Sequence, residues 1–551
     1  MNHSTSLLTY YTIVSFLVIS PQADAADIYV DQNIVNHCAT YQPLNRDCDG
    51  GSAIAYPTLS AGVEAALAGD TVHIRAGEYE EKMAPTTSGS SGQPITYQNY
   101  EGELPVITGS GYPAMIVLEN VNYITIQGLT IQDCKWLEAR SSNYIVLQGN
   151  TFERSTSSGT TGNVRFISSN NNKILDNILD DGNDNLLLID SDHNLVEGNT
   201  ITEGRHSVLS IRCANYNIFR SNYFSNTQQK IAEVYDCGDD TSAVLEAFDA
   251  TKHNVFESNT FAEASSYYSV SGGNGIQYSG QDGIIRNNLF YQTNVGIGMQ
   301  VYSDEAGFNH HNAVYHNVFN NNDCGGISIN ANGEDNVFRN NIFSGNQGMS
   351  GDCFGTGSAQ LIYRNGVTES ELVRNNFYSS LGTEVIQEWG NNNPITLESF
   401  ETNFPLSFAD NLQVDPLFTN ETAFDFTLSD LSPMKDAGMF LSSTVGSGSG
   451  TTIQVEDSRY FHNGFGIVGE SGDLIQLEGQ TETARVVAVD YETHTLTISK
   501  TLTWTNQLGI SLAYSGEAPD IGAFESVAFS PESTHPSIQH INLLLLNDET
   551  K

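Results

Sequence analysis

The chain has 551 residues, of which 65 are acidic and 22 are Lys or Arg, so its formal net charge is -43 at pH 7. This excess of negative charge argues against binding to nucleic acid or to an anionic membrane surface. Apolar and aromatic residues are nevertheless plentiful and regularly spaced, which excludes a disordered acidic chain.

The N-terminus is typical of a secretory signal peptide. Polar residues 1–5 precede an apolar stretch from Leu7 to Ile19, and Ala23-Asp24-Ala25 has the small-x-small pattern of a cleavage site. We therefore predict a signal peptide over residues 1–25 and a secreted protein, either extracellular or periplasmic. No later apolar stretch is long enough to span a membrane.

An exported chain with seven cysteines is expected to form disulfides and to leave one thiol free. The predicted pairs are Cys38 with Cys48, Cys213 with Cys237, and Cys324 with Cys353, and the predicted free thiol is Cys134.

The mature chain opens with an apolar strand, Ile28 to Asp31, and the segment from Tyr56 to Asp70 predicts a short amphipathic helix. One phrase then recurs between Tyr123 and Tyr378: a polar residue or two, two or three apolar residues, and Asn followed by another apolar pair. Its period of 22 to 37 residues is that of a solenoid. The common Asn falls at Asn150, Asn177, Asn199, Asn222, Asn259, Asn288, Asn317, Asn341 and Asn376.

Within each copy the apolar residues alternate with polar ones, which predicts short strands. Asn suits the tight corner between two strands, and stacked Asn side chains can form a ladder along the axis. A single coil cannot bury its own apolar face, so the coils are expected to stack about 4.8 Å apart.

This pattern resembles the right-handed parallel β-helix of the pectin-lyase-like superfamily, and the resemblance covers most of the chain. It implies an all-β, right-handed parallel β-helix solenoid with a carbohydrate-facing scaffold. The helix after Tyr56 then resembles the cap that covers the first coil. The superfamily contains lyases, hydrolases, epimerases and non-catalytic surface proteins, so the resemblance leaves the reaction open.

Composition changes after the repeats. The phrases VDPLF and LSPMKDAG lie between Phe404 and Gly438, and a closing phrase, APDIGAFE, begins at Ala518. A Gly/Ser linker and several alternating strands separate them. We predict a parallel β-helix over residues 26–442, an inserted small β module over 443–515, a closing strand over 516–528 and a tail over 529–551.

Basic residues are concentrated in the coils from Lys135 to Lys252, which marks a local site for an anion in an acidic chain. Ten of the 22 lie there: Lys135, Arg140, Arg154, Arg165, Lys173, Arg205, Arg212, Arg220, Lys230 and Lys252. Aligning the coils on the residues that begin each phrase places Arg212 over Ile189 and Ser210 over Leu187. The positions that are apolar in one coil are thus polar in the next coil.

Such a cluster is suited to β-elimination on a uronic-acid polysaccharide. A cation must neutralise the carboxylate beside the C5 proton, a base must take that proton, and an acid must protonate the leaving oxygen. We predict Arg212 as the carboxylate clamp, Lys230 or His206 as the base, and Tyr235 as the acid. Glu233 and Asp236 would orient these residues.

The substrate is predicted to be an anionic polysaccharide bound by Arg205, Arg165 and Lys135, and the protein is predicted to act as a monomer. Calcium is a candidate cofactor, with Asp236 and Asp190 as candidate ligands.

Two other functions remain open from the sequence. Acidic corner residues could supply the paired carboxylates of a glycoside hydrolase, or the chain could be a non-catalytic adhesin or glycan-binding solenoid. Asp and Asn are also preferred in tight corners, so the acids alone do not decide. The acids in question are Asp180, Asp181, Asp184, Asp190 and Asp192.

Overall fold

The computed structural model describes residues 25–109, 114–156, 163–227, 229–235, 251–264, 273–299, 309–329, 334–347, 359–363, 369–388 and 393–526. Over these residues the chain winds into a parallel β-helix whose coils present three faces, each a ladder of short strands. The predicted signal peptide, up to residue 24, and the predicted tail over 529–551 lie outside the described residues.

Face 1 is a 16-stranded sheet that is parallel except at its first strand. Its strands are Cys38–Tyr41, Ala53–Tyr56, Asp27–Val30, Thr71–Ile74, Ile95–Asn99, Ile124–Gln127, Val146–Gln148, Lys173–Leu175, Leu195–Glu197, Ile218–Arg220, Val255–Glu257, Ile284–Arg286, Ala313–Tyr315, Val337–Arg339, Glu371–Val373 and Phe408–Ala409.

Faces 2 and 3 are joined into one 22-stranded sheet because two long strands, Ile178–Ile189 and Thr200–Arg212, run along both faces. The other strands of face 2 are Gly77–Tyr79, Pro105–Ile107, Thr130–Gln132, Thr151–Glu153, Tyr223–Ser225, Thr260–Ala262, Leu289–Tyr291, Val318–Asn320, Ile342–Ser344 and Asn376–Tyr378. The other strands of face 3 are Ile116–Glu119, Leu137–Arg140, Val164–Ile167, Ala232–Tyr235, Ile276–Tyr278, Ile297–Met299, Ile327–Ile329, Leu361–Tyr363 and Glu384–Glu388, closed by the antiparallel Ile395–Thr396.

The interior is filled by apolar side chains that repeat at the same place in each coil. Six phenylalanine rings on face 2 stack one above another with centroids 4.7 to 5.1 Å apart, so the period-2 pattern of the sequence becomes a continuous core. The rings are Phe224, Phe261, Phe290, Phe319, Phe343 and Phe377.

The predicted asparagine ladder is confirmed. Asn199 Nδ2 donates to Asn222 Oδ1 at 2.9 Å, and Asn199 N–H donates to the same oxygen at 2.9 Å. The pattern repeats along the corner between faces 1 and 2. The last position was wrong by one residue: Asn375 continues the ladder from Asn341, whereas Asn376 bonds to Val414.

A second ladder, which the sequence reading missed, lies at the corner before face 1. There Asn194 Nδ2 donates to Asn217 Oδ1 and Asn217 Nδ2 donates to Asn254 Oδ1, both at 3.0 Å. These are the residues that begin each repeated phrase, so their signal was present in the sequence.

Two seven-residue helices, Leu59–Ala65 and Leu397–Asn403, lie near the two ends of the described coils. Thr58 and Thr396 cap their N-termini, each hydroxyl accepting a backbone N–H three residues on. Leu59 and Phe400 belong to the same buried core as the β-helix interior. None of the described helices has the length and apolar character needed to cross a membrane.

Residues 442–512 form a separate six-stranded antiparallel sheet, here called the C-terminal sheet. Its strands are Ser442–Ser443, Gly448–Gln454, Leu474–Leu477, Thr483–Asp490, Thr495–Trp504 and Gly509–Leu512. A two-stranded hairpin precedes this sheet and consists of Phe418–Asn420 and Asp425–Leu428, joined by the 3-10 turn Glu421–Ala423. Beyond it the chain returns, because Gly438 N–H donates to Pro519 O and Ile521 N–H donates to Met434 O. The two closing phrases of the sequence therefore lie side by side.

The cysteines agree with the predicted pattern where they are described. Cys38 and Cys48 form a disulfide, and Cys134 is a buried free thiol. Cys213 and Cys324 are also disulfide-bonded. Their predicted partners, Cys237 and Cys353, lie outside the described residues.

Candidate active site

The outward row of face 3 changes character part-way along the solenoid. Ser210 pairs in register with Leu187 and Glu233, and Arg212 pairs with Ile189 and Tyr235. The alignment predicted from the sequence is therefore confirmed. The full row, in coil order, is Val117, Glu138, Arg165, Leu187, Ser210, Glu233, Gln277, Gly298, Ser328, Ile362 and Gln387.

The two long strands bring a carboxylate to the corner between faces 2 and 3. Their register shifts after Gly182, so that Gly182 pairs with Gly204 but Asp184 pairs with Ser207. Gly182 has no room for a side chain, because a Cβ there would lie 2.0 Å from Asn185 Oδ1. Such an irregularity re-aims the side chains that follow it, and Asp184 here faces His206.

His206 is held by a buried carboxylate. Its Nδ1 lies 2.8 Å from Asp184 Oδ1 and 3.8 Å from Glu233 Oε2. Both acids are fully buried, whereas the His206 side chain is 25% exposed. If Nδ1–H donates to Asp184, then Nε2 carries the lone pair and can accept a proton.

Two serine hydroxyls connect the two acids. Ser207 Oγ donates to Asp184 Oδ1 at 3.0 Å and lies 2.8 Å from Ser210 Oγ, which is 3.5 Å from Glu233 Oε2. Asp184 Oδ2 is buried and has no hydrogen-bond partner among the described residues. The two carboxylates therefore belong to one polar network with one unused acceptor.

Lys230 completes the cluster from the next coil. It forms an ion pair with Glu233, and its Nζ lies 3.4 Å from Gln277 Oε1. Burial lowers the pKa of Lys230 to about 8, with Asp184 opposing that shift and Arg212 adding to it. The ammonium can thus lose its proton far more readily than an exposed lysine.

Arg212 lies on the same face, two residues beyond Ser210. Its guanidinium carbon is 5.3 Å from the centroid of the Tyr235 ring, a cation–π contact. Its Nε is buried without a hydrogen-bond partner, and no described acid forms an ion pair with it. A partly buried guanidinium with an unused Nε donor is suited to binding a carboxylate of a ligand.

The structure brings together Arg212, Lys230, His206, Tyr235 and Glu233, the five residues predicted to be catalytic. The other predicted residues lie further away. Arg165 and Lys135 belong to coils two and three steps before Ser210, and Arg165 is paired with Glu138.

Arg205 and Asp190 occupy corners beside the cluster. Arg205 donates to Asp181 Oδ1 at 2.9 Å and to Ser155 O at 3.1 Å, so it has protein partners of its own. Asp190 has a left-handed backbone with φ of 46° and accepts from Ser168 Oγ at 2.8 Å. Calcium at Asp190 stays a prediction. Asp236 lies outside the described residues.

Sequence reasoning missed several members of this site. Asp184 was considered only as one of five corner acids, and Ser207 and Gln277 were not considered at all. The usable signal was polar residues at positions where neighbouring coils are apolar, as Ser210 against Leu187 showed.

A second buried group joins face 1 to the C-terminal sheet. Glu257, His462 and Asp473 lie close enough to hold a metal ion. However, Arg286 already occupies the space between them, with its Nη2 2.5 Å from Glu257 Oε2 and 2.5 Å from Asp473 Oδ1. The guanidinium supplies the positive charge there, so this group is an ion-pair network.

Residues 114–290 match a family model described as a right handed beta helix region. The chain is also 40% identical over 91 residues to the uncharacterized protein YwoF of Bacillus subtilis (strain 168), a match that covers 15% of this chain and 19% of that protein.

Solved structures with a similar fold include pectate lyase Pel9A, at 13% identity over 91% of this chain and 97% of that chain, with a TM-score of 0.35. Others are a GH136 lacto-N-biosidase from Eubacterium ramulus, at 10% identity over 71% and 67% with a TM-score of 0.38, and the PL6 family alginate lyase AlyGC, at 15% identity over 63% and 49% with a TM-score of 0.37. These likenesses concern the fold alone. The predicted parallel β-helix is confirmed by the family-model match and by the sheets of the structure.

Proposed function

We propose that this protein is a secreted, carbohydrate-active enzyme that cleaves an acidic polysaccharide by β-elimination. The observation that carries the proposal is Arg212, a partly buried guanidinium that forms no ion pair with any described carboxylate. It lies beside a lysine with a lowered pKa and a carboxylate-bound histidine.

Each step of the elimination has a side chain to perform it. Arg212 binds the carboxylate of the uronate and offsets the negative charge that develops when the C5 proton leaves. His206 Nε2 or the neutral amine of Lys230 accepts that proton. Tyr235, stacked against Arg212, protonates the departing glycosidic oxygen as the C4–O bond breaks.

Asp184 and Glu233 position the two candidate bases. Asp184 holds Nδ1 of His206 and so directs Nε2 toward the ligand, while Glu233 anchors Lys230. In this mechanism neither acid touches the sugar.

A second reaction is favoured by one specific observation. Asp184 and Glu233 both approach His206 Nδ1, and both are fully buried, so the site contains a pair of carboxylates close together. Glycoside hydrolases use such pairs as acid and base or nucleophile. The ion pair between Lys230 and Glu233 argues against this role, since it keeps Glu233 ionised and occupied.

The test is to incubate the purified protein with a panel of uronate polysaccharides and to follow ultraviolet absorbance. Elimination creates an unsaturated uronate that absorbs, whereas hydrolysis creates reducing ends without that absorbance. We expect absorbance to rise with each new reducing end. Reducing ends without absorbance would instead support the hydrolase, and Asp184→Asn should then abolish them.

Arg212→Ala tests the central residue. It should lower kcat/KM by about 10²- to 10³-fold, the usual effect of removing one electrostatic stabiliser. Arg140→Ala is a matched control, since Arg140 occupies the same register row three coils earlier and its side chain is 47% exposed. Equal activities of the two variants would overturn the proposed role of Arg212.

A further inference from the structure

The part of face 1 that precedes the C-terminal sheet is open to solvent. The sheet packs on outward residues from Leu195 onward, and it reaches Lys173, since a Cβ on Gly469 would lie 3.3 Å from Lys173 Nζ. In the three coils before Lys173, the outward side chains of face 1 are partly or fully exposed. We call these six residues the neutral patch: Thr96, Gln98, Thr125, Gln127, Val146 and Gln148.

The neutral patch contains no ionisable side chain over three successive coils. Threonine lies beside threonine in one row and glutamine beside glutamine in the other, because Thr96 pairs with Thr125 and Gln98 pairs with Gln127. A charged ligand placed here would lose hydration without gaining an opposite charge, so the patch favours an uncharged ligand. The outward rows of face 3 in the same coils instead carry charges: Glu119, Glu138, Arg140 and Arg165.

The threonines and glutamines of the patch can both donate and accept hydrogen bonds. Gln127 Nε2 donates to Gln98 Oε1 at 2.5 Å, and Gln98 Nε2 lies 3.2 Å from His73 Nδ1, so these amides are held in a row. The hydroxyl of Thr125 and the amide of Gln148 form no hydrogen bond with the residues that the structure describes. A sugar hydroxyl is also both donor and acceptor, so it can pair with each of these groups.

Two stacked tyrosines border the patch at the corner before face 1. The rings of Tyr123 and Tyr144 have centroids 4.5 Å apart, and both side chains are partly exposed. Further along the same column of corner residues, Tyr216 packs edge-on against Phe465 of the C-terminal sheet, and His193 Nδ1 lies 2.9 Å from Phe465 O. The aromatic column thus binds a neighbouring segment where the sheet covers it and continues into the open part at Tyr123 and Tyr144.

The spacing of the patch suits an extended sugar chain. Successive coils lie about 4.8 Å apart, which is close to the length of one sugar residue in an extended polysaccharide. A chain that runs along the axis of the β-helix would therefore meet one threonine or valine and one glutamine with each sugar. A coiled glycan would leave this straight array within a few sugars.

From these observations we infer that the neutral patch, with Tyr123 and Tyr144 at its margin, is a binding surface for an extended, uncharged polysaccharide. The hydroxyls of the sugars pair with the amides and hydroxyls of the patch, and the tyrosine rings supply apolar contact and further hydroxyls. The patch lies on face 1 and the candidate active site on face 3, so binding here does not depend on the elimination reaction proposed above.

Affinity electrophoresis of the full-length protein in native gels tests this surface, because a chain of formal charge -43 migrates readily and a bound polymer slows it. We expect hydroxyethyl cellulose or galactomannan, which are extended and uncharged, to slow the wild type. Pullulan, which is uncharged but flexible and coiled, should not. Unchanged migration with both extended polymers, or equal slowing by pullulan, would overturn the inference. None of these polymers contains a uronate, so the result is independent of the elimination assay.

A charge-adding variant tests the place. Gln148→Glu puts a carboxylate into the exposed end of the patch and should raise the dissociation constant for the extended polymer by about tenfold or more, since the new charge loses hydration against the sugar. Gln454→Glu makes the same change at an exposed glutamine of the C-terminal sheet and should bind as the wild type does. Equal binding by the two variants would place the polymer elsewhere and contradict the inference.

A ring-removing variant and a measurement of mass complete the test. Tyr144→Ala should weaken binding several-fold, and thermal unfolding of each variant establishes that it is folded. Sedimentation of the wild type distinguishes another occupant of the patch. A dimer that forms with rising protein concentration and is abolished by Gln148→Glu would show that a second copy of this chain covers the patch, and it would overturn the assignment to a polysaccharide.

Discussion

At the scale of single residues, Lys230 and His206 are rival candidates for one role. Lys230 is nearly buried and lies within electrostatic reach of Arg212, while His206 is oriented by Asp184. A lysine acts as a base only when it is neutral, and burial brings that state within reach by lowering the pKa to about 8.

The first prediction concerns pH. If Lys230 is the base, kcat/KM rises with pH and reaches half its plateau near pH 8, because the fraction of neutral amine increases through that pKa. Lys230→Arg keeps the positive charge but cannot lose its proton, so it should lose activity by about 10²-fold or more.

Lys500→Arg is the control, since Lys500 is an exposed residue of the C-terminal sheet. It should reproduce the wild-type profile. If Lys230→Arg retains both the activity and the rising limb, the base is another group, and His206 becomes the first candidate.

How much of this site could be predicted depends on register. The repeat fixed the coil alignment, so the pairing of Arg212 with Ile189 and of Ser210 with Leu187 followed from counting. The contact of Asp184 with His206 did not follow. It depends on a one-residue shift in strand register after Gly182. The same residues are also compatible with an ordinary tight corner.

At the scale of elements, the asparagine ladders hold the corners of the coils. Asn222 is typical: its Oδ1 accepts from Asn199 N–H and Nδ2, and its Nδ2 donates to Val196 O and Asn259 Oδ1. All these groups are buried, so removing the amide leaves several of them without partners. Each unpaired buried group costs about 1–3 kcal/mol.

The second prediction follows from the number of buried hydrogen bonds that the Asn222 amide makes. Asn222→Ala should lower the free energy of unfolding by about 3–5 kcal/mol, measured by denaturant titration. Asn45→Ala removes an exposed asparagine that bonds only Gln42 Oε1 and should cost less than about 0.5 kcal/mol. Similar costs for the two variants would show that the ladder is a consequence of the fold and contributes little to its stability.

The ladder also shows where sequence reading loses precision. In the last copy two asparagines are adjacent, Asn375 and Asn376, and the repeat allows either to occupy the corner. The structure uses the first, because Asn376 lies in a strand and bonds to Val414. When two adjacent residues are both Asn, the sequence does not indicate which of them occupies the corner.

At the scale of the whole molecule, the part of face 1 that meets the C-terminal sheet is buried on both sides. The outward residues Leu195, Ile218, Val255 and Ile284 form one apolar cluster with residues of the C-terminal sheet such as Phe461. This row of apolar residues was visible in the sequence. The strands of the C-terminal segment could also be predicted from the sequence. Nothing in the sequence pattern indicated that the C-terminal sheet would pack on the apolar row of face 1.

The buried ion pairs between the two sheets yield the last prediction. Burial alone would raise the pKa of Glu257, yet Arg286 and His462 hold it well below its usual range, so the carboxylate is charged. Arg286 lies between it and Asp473 and is 5% exposed. Arg286→Ala would leave both acids buried and unpaired, a loss of about 3–5 kcal/mol in the free energy of unfolding.

Arg140→Ala is the matched control for Arg286→Ala, because it removes an arginine that is 47% exposed and should cost at most about 1 kcal/mol. The variant Arg286→Met with Glu257→Gln and Asp473→Asn removes the charges together and should recover part of the loss, since the penalty comes from the unpaired acids and not from the missing arginine. If the triple variant is no more stable than Arg286→Ala, the charges are not what joins face 1 to the C-terminal sheet, and the apolar contacts carry that interface.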